Sequence, residues 1–254
     1  MATDVGRVVA LGASNLTRGF RTVVSAARTA WGRDVEVLAA LGHGRSYGAA
    51  SSVLCRRLPG ILESGLWRDL GSLPPVPTRA LVTDVGNDIL YGFSAEQTLS
   101  WVEEAVSRLQ RVTGDIILTN LPLAGIRRLS PTRFLLFRSI LVPSCRLSLA
   151  QVIDMAEQVD AGLATLSTVR GVTFFRLDPA WYGFDPVHIR PSLWRPAWRR
   201  ILGAPSTADG GDGSPPEGLH LYFMRPERRW LFGVEQHTPQ RGATLARGGR
   251  VWLY

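Results

Sequence analysis

Short apolar, β-branched blocks separated by longer amphipathic stretches most restrict how this 254-residue chain can fold. Residues 7–11, 35–40, 80–85, 115–120 and 172–177 read as strands. They are apolar almost throughout rather than at alternate positions, which fits strands covered on both faces. Residues 18–30, 47–58, 95–112, 149–169 and 193–202 read as helices, with Gly, Ser, Asn or Asp at the strand-to-helix junctions. The alternation implies right-handed crossovers and a three-layer α/β/α, flavodoxin-like sandwich around a five-stranded parallel sheet.

The chain is long enough for one such domain and a small appendage. A Gly-, Ser-, Pro- and Asp-rich stretch over 203–218 reads as a flexible connector. The expected organisation is therefore a main domain over 1–203, a linker over 204–218 and an extension over 219–254. In the extension, residues 219–224 and 229–234 flank Arg-Pro-Glu-Arg, and residues 243–246 and 250–253 flank Gly248-Gly249. Both patterns predict β-hairpins, too small to fold alone and packed on the main domain.

The net charge is +8, and all 29 basic residues are arginine. They are spread along the chain without a run of five, and no recognised motif accompanies them, so nucleic-acid binding is not expected. No apolar run approaches the roughly 20 residues that span a bilayer. The N-terminus lacks the basic and apolar segments of a cleaved signal, and a cytoplasmic location is expected. Cys55 and Cys145 are far apart and outside metal-ligand spacing, as are His220 and His237, so neither disulfides nor a metal is expected.

In a doubly wound sheet, ligands bind at the carboxyl ends of the strands. The loops that follow the strands hold Gly12-Ala13-Ser14-Asn15, Gly42-His43-Gly44-Arg45-Ser46, Gly86-Asn87-Asp88 and Asp185-Pro186-Val187-His188. A serine hydroxyl becomes a nucleophile only with a base in hydrogen-bond reach and a group that orients the base. Ser14 could serve, although an N-cap serine would look the same. Asp185 and His188 are three apart across a proline, so one turn could present the carboxylate to the imidazole; each could equally be structural. Asn87 is a candidate oxyanion donor through its amide, and a glycine after the second strand could add a main-chain N–H. His43 and Asp88 are candidate substrate contacts. Neither Gly-x-Gly-x-x-Gly nor a phosphate loop occurs, which disfavours a nucleotide-binding module.

Taken together, these blocks resemble those of the SGNH/GDSL hydrolases, which carry Gly-Asp-Ser after the first strand, a glycine after the second, Gly-x-Asn-Asp after the third and Asp-x-x-His late in the domain. The counterparts here are Gly12-Ala13-Ser14, Gly44, Gly86-Asn87-Asp88 and Asp185-Pro186-Val187-His188, so the resemblance covers residues 7 to about 203. It implies hydrolysis of a carboxylic ester, an acetyl or short acyl ester of a carbohydrate or small molecule, through an acyl-enzyme and without a cofactor. Ser14 would be the nucleophile, His188 the base and Asp185 its partner, with the Ser14 amide, Gly44 and Asn87 as the oxyanion hole. Gly42 and Gly48 compete with Gly44 for that place; Gly44-Arg45-Ser46 resembles the block of some carbohydrate esterases. Ala13 replaces the family's aspartate, a carboxylate that braces neighbouring loops. That departure, with the extra hairpins, supports an alternative: an impaired member that binds a ligand or partner.

Overall fold

The computed structural model describes residues 5–32, 34–204, 218, 220–245 and 248–254. In chain order the elements are β1 (Arg7–Leu11), α1 (Ser14–Trp31), β2 (Glu36–Ala40), β3 (Ser51–Val53), β4 (Arg56–Leu58), α2 (Leu66–Ser72), β5 (Thr78–Val82), α3 (Asn87–Leu90), α4 (Ala95–Gln110), β6 (Ile116–Thr119), α5 (Leu123–Ile126), α6 (Pro131–Leu141), α7 (Leu149–Arg170), β7 (Thr173–Phe175), α8 (Trp194–Ile201), α9 (His220–Phe223), β8 (Arg228–Leu231), β9 (Val234–His237), β10 (Ala243–Thr244) and β11 (Arg250–Leu253).

The main sheet has the order β10-β11-β2-β1-β5-β6-β7. The five expected strands are all present and parallel. Successive residues alternate between two cores. Val9, Leu11, Leu38, Val82 and Leu118 pack with Val102, Val106, Val159 and Leu163 of α4 and α7 on one face. Val8, Ala10, Val37, Leu81 and Ile117 pack with Phe20, Val23 and Trp198 of α1 and α8 on the other. Two buried faces explain why these strands lack a polar alternation. On the outer layer, α8 fits against α1 where Gly19 leaves room, since a Cβ there would lie 2.1 Å from Trp198 Nε1.

The sheet is wider than the five expected strands. β11 adds beside β2 in parallel, pairing Arg250 with Glu36 through Leu253 with Ala39, and β10 pairs with β11 antiparallel. The expected second hairpin of the extension is thus present, and its last strand belongs to the main sheet: Trp252 and Tyr254 join one core, Val251 and Leu253 the other.

Two expected elements are corrected. Residues 47–58, expected as a helix, are not helical: 51–58 form the β3–β4 hairpin, whose turn holds Leu54 at φ 54°. That hairpin is the first half of a second sheet, β3-β4-β8-β9, so its partner lies far away in sequence. The other correction concerns the first hairpin of the extension. Residues 220–223 are helical, and β8 pairs with β9 around Phe232-Gly233 rather than across Arg-Pro-Glu-Arg. The expected linker lies outside the described residues for 205–217. Cys55 is exposed and Cys145 buried, both as free thiols. Among the described residues, no helix is long and apolar enough to cross a membrane.

Candidate active site

Ser14 opens α1 at the carboxyl end of β1, the central strand of the sheet. His188 comes from the turn that follows β7, and its Nε2 lies 2.9 Å from Ser14 Oγ. Asp185 Oδ2 lies 2.6 Å from His188 Nδ1. Asp185 Oδ1 accepts the N–H groups of Val187 and His188, both at 3.2 Å, so one turn orients the carboxylate and presents the imidazole. Burial alone would push the Asp185 carboxyl up, but the hydrogen bond and charge of His188, the Val187 amide and Arg18 outweigh it and hold the carboxyl below its ordinary range. Arg18 Nη1 approaches the same carboxylate at 3.7 Å.

What aligns these groups is a pair of residues whose side chains bridge three loops. Asn15 Nδ2 donates to Val187 O at 2.9 Å and Asn15 Oδ1 accepts the Ile189 N–H at 2.8 Å, which clamps the histidine turn to the start of α1. The same Nδ2 donates to Asp84 Oδ1 at 2.9 Å. Asp84 Oδ2 accepts the N–H groups of Ala13 at 3.0 Å and Leu16 at 2.9 Å. Helix α1 has no side-chain cap at Ala13 and no acidic residue in its first turn. Asp84, reaching over from the loop after β5 with φ 56°, supplies both the missing cap and the negative charge that a helix start favours. The brace that Ala13 cannot provide therefore comes from another loop. Neither residue was singled out for this role from sequence; the signal was their place beside Ser14 and Asn87 in the two blocks.

The loop after β2 is held from beneath. Arg45 is fully buried; its Nε donates to Pro59 O and its Nη1 to Leu41 O, both at 3.1 Å, and Nη1 also donates to the main-chain oxygen of Tyr254. Burial, and then the charge of Arg56, pull this guanidinium down to about 9. Gly44 adopts φ 63°, and a Cβ there would lie 2.5 Å from Val53 Cγ2 and 2.9 Å from Tyr91 Oη. Tyr91 Oη donates to Gly44 O at 2.6 Å, fixing that peptide. Of the competing glycines, Gly42 packs against Leu58 and Gly48 against Trp101, at 2.2 and 2.0 Å from a would-be Cβ. Among the described residues, Asn87 Nδ2 has a single 3.4 Å contact, to Arg45 O.

The candidate substrate contacts divide. His43 is half-buried in the Gly44 loop, and burial followed by the charges of Arg56, Arg18 and His188 lowers its pKa to about 4, so it is neutral at pH 7. Asp88, by contrast, is corrected. It is 0% exposed, accepts from Ser46 Oγ and from the Tyr47 N–H at 3.2 Å, and so ties the β2 loop to α3 instead of facing a ligand. Burial raises its carboxyl above the ordinary range despite these hydrogen bonds. Among the described residues, no group of three or more His, Cys, Asp or Glu is placed to hold a metal.

No protein-family model and no curated protein matches the chain. Solved structures do. A carbohydrate acetylesterase family member from Sinorhizobium meliloti is 17% identical, with TM-score 0.52, over 78% of this chain and 99% of that one. Est24, a carbohydrate acetylesterase from the same organism, is 13% identical with TM-score 0.52 over 78% and 97%. The inhibitor-bound aryl esterase of M. smegmatis is 13% identical with TM-score 0.53, again over 78% and 97%. With these neighbours and this sheet, the chain has the fold of the SGNH/GDSL hydrolases.

Proposed function

We propose that the protein is a serine hydrolase of carboxylic esters. The observation that carries this reading is the unbroken relay from Ser14 Oγ to His188 Nε2 at 2.9 Å and from His188 Nδ1 to Asp185 Oδ2 at 2.6 Å. In this relay the Asp185 carboxylate holds the proton on Nδ1, so Nε2 is free to accept the Ser14 proton as Oγ attacks the ester carbonyl. The tetrahedral oxyanion is received by the N–H groups of Ser14 and Gly44 and by Asn87 Nδ2. Collapse expels the alcohol, protonated by His188, and leaves an acyl-serine. Water, deprotonated by the same imidazole, then releases the acid.

Asp84 supports activity over the impaired-member reading, because it makes the contacts at Ala13, Asn15 and Leu16 that brace the nucleophile turn. Acetyl or short acyl esters, of carbohydrates among others, are the substrates we favour, by analogy with the esterases that share the fold. The test is labelling of the purified protein by a fluorophosphonate probe, with turnover of 4-nitrophenyl acetate. Both should occur and both should vanish in Ser14→Ala; a Ser14→Ala protein that keeps its turnover removes Ser14 as nucleophile.

A further inference from the structure

The second sheet turns one face toward the loop that carries Gly44. Ser51 Oγ accepts the Ser46 N–H at 3.1 Å, and Val53 and Leu58 are the side chains that crowd Gly44 and Gly42. Directly opposed residues of an antiparallel pair project to the same side, as do alternate residues along a strand. Val53 is opposite Arg56, Arg56 is opposite Leu231, and Arg229 is two residues from Leu231. Arg56 and Arg229 therefore share the face that meets the oxyanion loop, while Arg57, Arg228 and Trp230 lie on the other.

The charges on the two faces are handled differently. On the far face Arg228 pairs with Glu235 at 2.6 Å, and Arg228 and Arg57 stack over Trp230 at 4.7 and 5.5 Å. On the near face, among the described residues, neither Arg56 nor Arg229 has a carboxylate within ion-pair distance, and Arg229 Nε donates to the neutral amide of Gln236 at 2.9 Å. Both side chains are half-buried. Burial and then the charge of Arg229 lower the pKa of Arg56, and the charge of Arg56 is in turn the largest electrostatic influence on His43. The carboxylates of the cleft are already engaged: Asp185 by His188, Asp84 by α1 and Asn15, Asp88 by Ser46 and Tyr47. Like charges held together at partial burial without a counterion are unfavourable, and an arriving anion relieves the cost.

Building on the hydrolase reading, we propose that Arg56, with Arg229 behind it, forms an anion-recognition site beside Ser14, and that the ester cleaved carries a carboxylate or similar anionic group close to its scissile bond. A guanidinium suits this role because its planar donor fork engages a carboxylate through two parallel hydrogen bonds. His43, neutral and able to donate or accept, is close enough to both to feel the charges of Arg56 and His188.

The experiment compares kcat/KM, each corrected for intrinsic alkaline reactivity, on two matched pairs. 4-Nitrophenyl hemisuccinate against 4-nitrophenyl butanoate places the charge on the acyl side; 4-acetoxybenzoate against its methyl ester places it on the alcohol side. The wild-type protein should favour the anionic member of one pair by about tenfold, or ~1.4 kcal/mol of transition-state binding. That ratio should fall to near unity in Arg56→Gln, drop partway in Arg229→Gln and persist in Arg57→Gln, on the opposite face. A wild-type ratio near unity in both pairs, or a preference that survives the Arg56→Gln/Arg229→Gln double variant, overturns the anion site while leaving the hydrolase reading intact. Absence of Ser14-dependent turnover for all four esters overturns the hydrolase reading and this inference with it.

Discussion

Replacing Asp84 by Asn tests the brace under Ser14 with almost no change of shape. The carboxylate serves three donors: the Ala13 and Leu16 N–H groups at 3.0 and 2.9 Å and Asn15 Nδ2 at 2.9 Å. An amide that keeps its oxygen on the two main-chain donors must turn its NH2 toward the NH2 of Asn15. Asn15 cannot flip in response, because its Oδ1 is committed to Ile189 N and its Nδ2 to Val187 O. One buried donor is thus left unpaired, which costs about 1–3 kcal/mol, and two charge-assisted hydrogen bonds become neutral ones, roughly 1 kcal/mol each. The favourable field at the start of α1 overlaps with that second loss and is not added again. The total is about 3–5 kcal/mol, or roughly 6–20 °C in Tm for a chain of this size. Urea unfolding and calorimetry read the stability, and the rate of fluorophosphonate labelling reads the alignment of His188, which should slow together with it. An Asp84→Asn protein within about 0.5 kcal/mol of wild type, with unchanged labelling, would refute the argument. Introducing the aspartate of the Gly-Asp-Ser block that this turn resembles, through Ala13→Asp, should also destabilise, because position 13 is 0% exposed and a second carboxylate would meet Asp84 there.

Three other substitutions probe neighbouring parts of the site. Asn15→Ala leaves Val187 O and Ile189 N without their side-chain partner and frees the histidine turn; a drop in kcat of about 10–100-fold with little change in KM is expected, by analogy with residues that orient a catalytic ligand, and steady-state kinetics on a short ester would show it. Gly44→Ala puts a Cβ into a left-handed backbone and within 2.5 Å of Val53, so about 1–3 kcal/mol of stability should be lost by urea unfolding. His43 gives a pH signature: the unfolded chain takes up a proton near its ordinary value of about 6.5, whereas the folded chain refuses it until about pH 4. Stability should therefore fall as pH drops from about 6.5 toward 4, and His43→Gln should flatten that slope in urea titrations at pH 7 and pH 5.

Much of this arrangement could be read from the sequence because its signals are local. A strand buried on both faces must be apolar nearly throughout, and β1, β2, β5 and β6 announce themselves that way, while β7 at the sheet edge is short and only partly buried. The relay was legible because Asp185 and His188 lie within one turn, and because the sheet carries Ser14 to the edge where that turn arrives. What escaped depends on partners distant in the chain. Residues 47–58 contain apolar positions at spacings a helix also uses; 51–58 are a hairpin because β4 finds β8, about 170 residues later, through Arg56 with Leu231 and Arg57 with Trp230. The β8–β9 turn was misplaced for a related reason. Arg-Pro-Glu-Arg looks like a turn, but the Glu227 N–H donates to Leu253 O and the Glu227 carbonyl accepts from Thr238 N, so it runs on beside the sheet and the chain reverses at Phe232-Gly233. Asp88 looks functional beside the candidate donor Asn87 until its burial is known.

The same long-range wiring gives the C-terminal residues a place in the site. β11 docks on β2, and the Tyr254 N–H continues the ladder to Ala39 O at 2.9 Å. The main-chain oxygen of Tyr254 then meets Arg45, whose guanidinium also holds Leu41 O and Pro59 O, the two ends of the segment that includes Gly44 and the β3–β4 hairpin. Tyr254 Oη donates to Asp69 Oδ2 at 2.9 Å, anchoring the strand end from the other side. A buried guanidinium is costly unless its donors are met; Arg45 Nη2 already lacks a partner among the described residues, so losing the strand's acceptor would leave the group still less satisfied. The extension therefore acts on the loop that presents Gly44. Arg45→Met is expected to loosen that loop more than the sheet, lowering hydrogen-exchange protection at residues 42–47 while β1 and β5 stay protected.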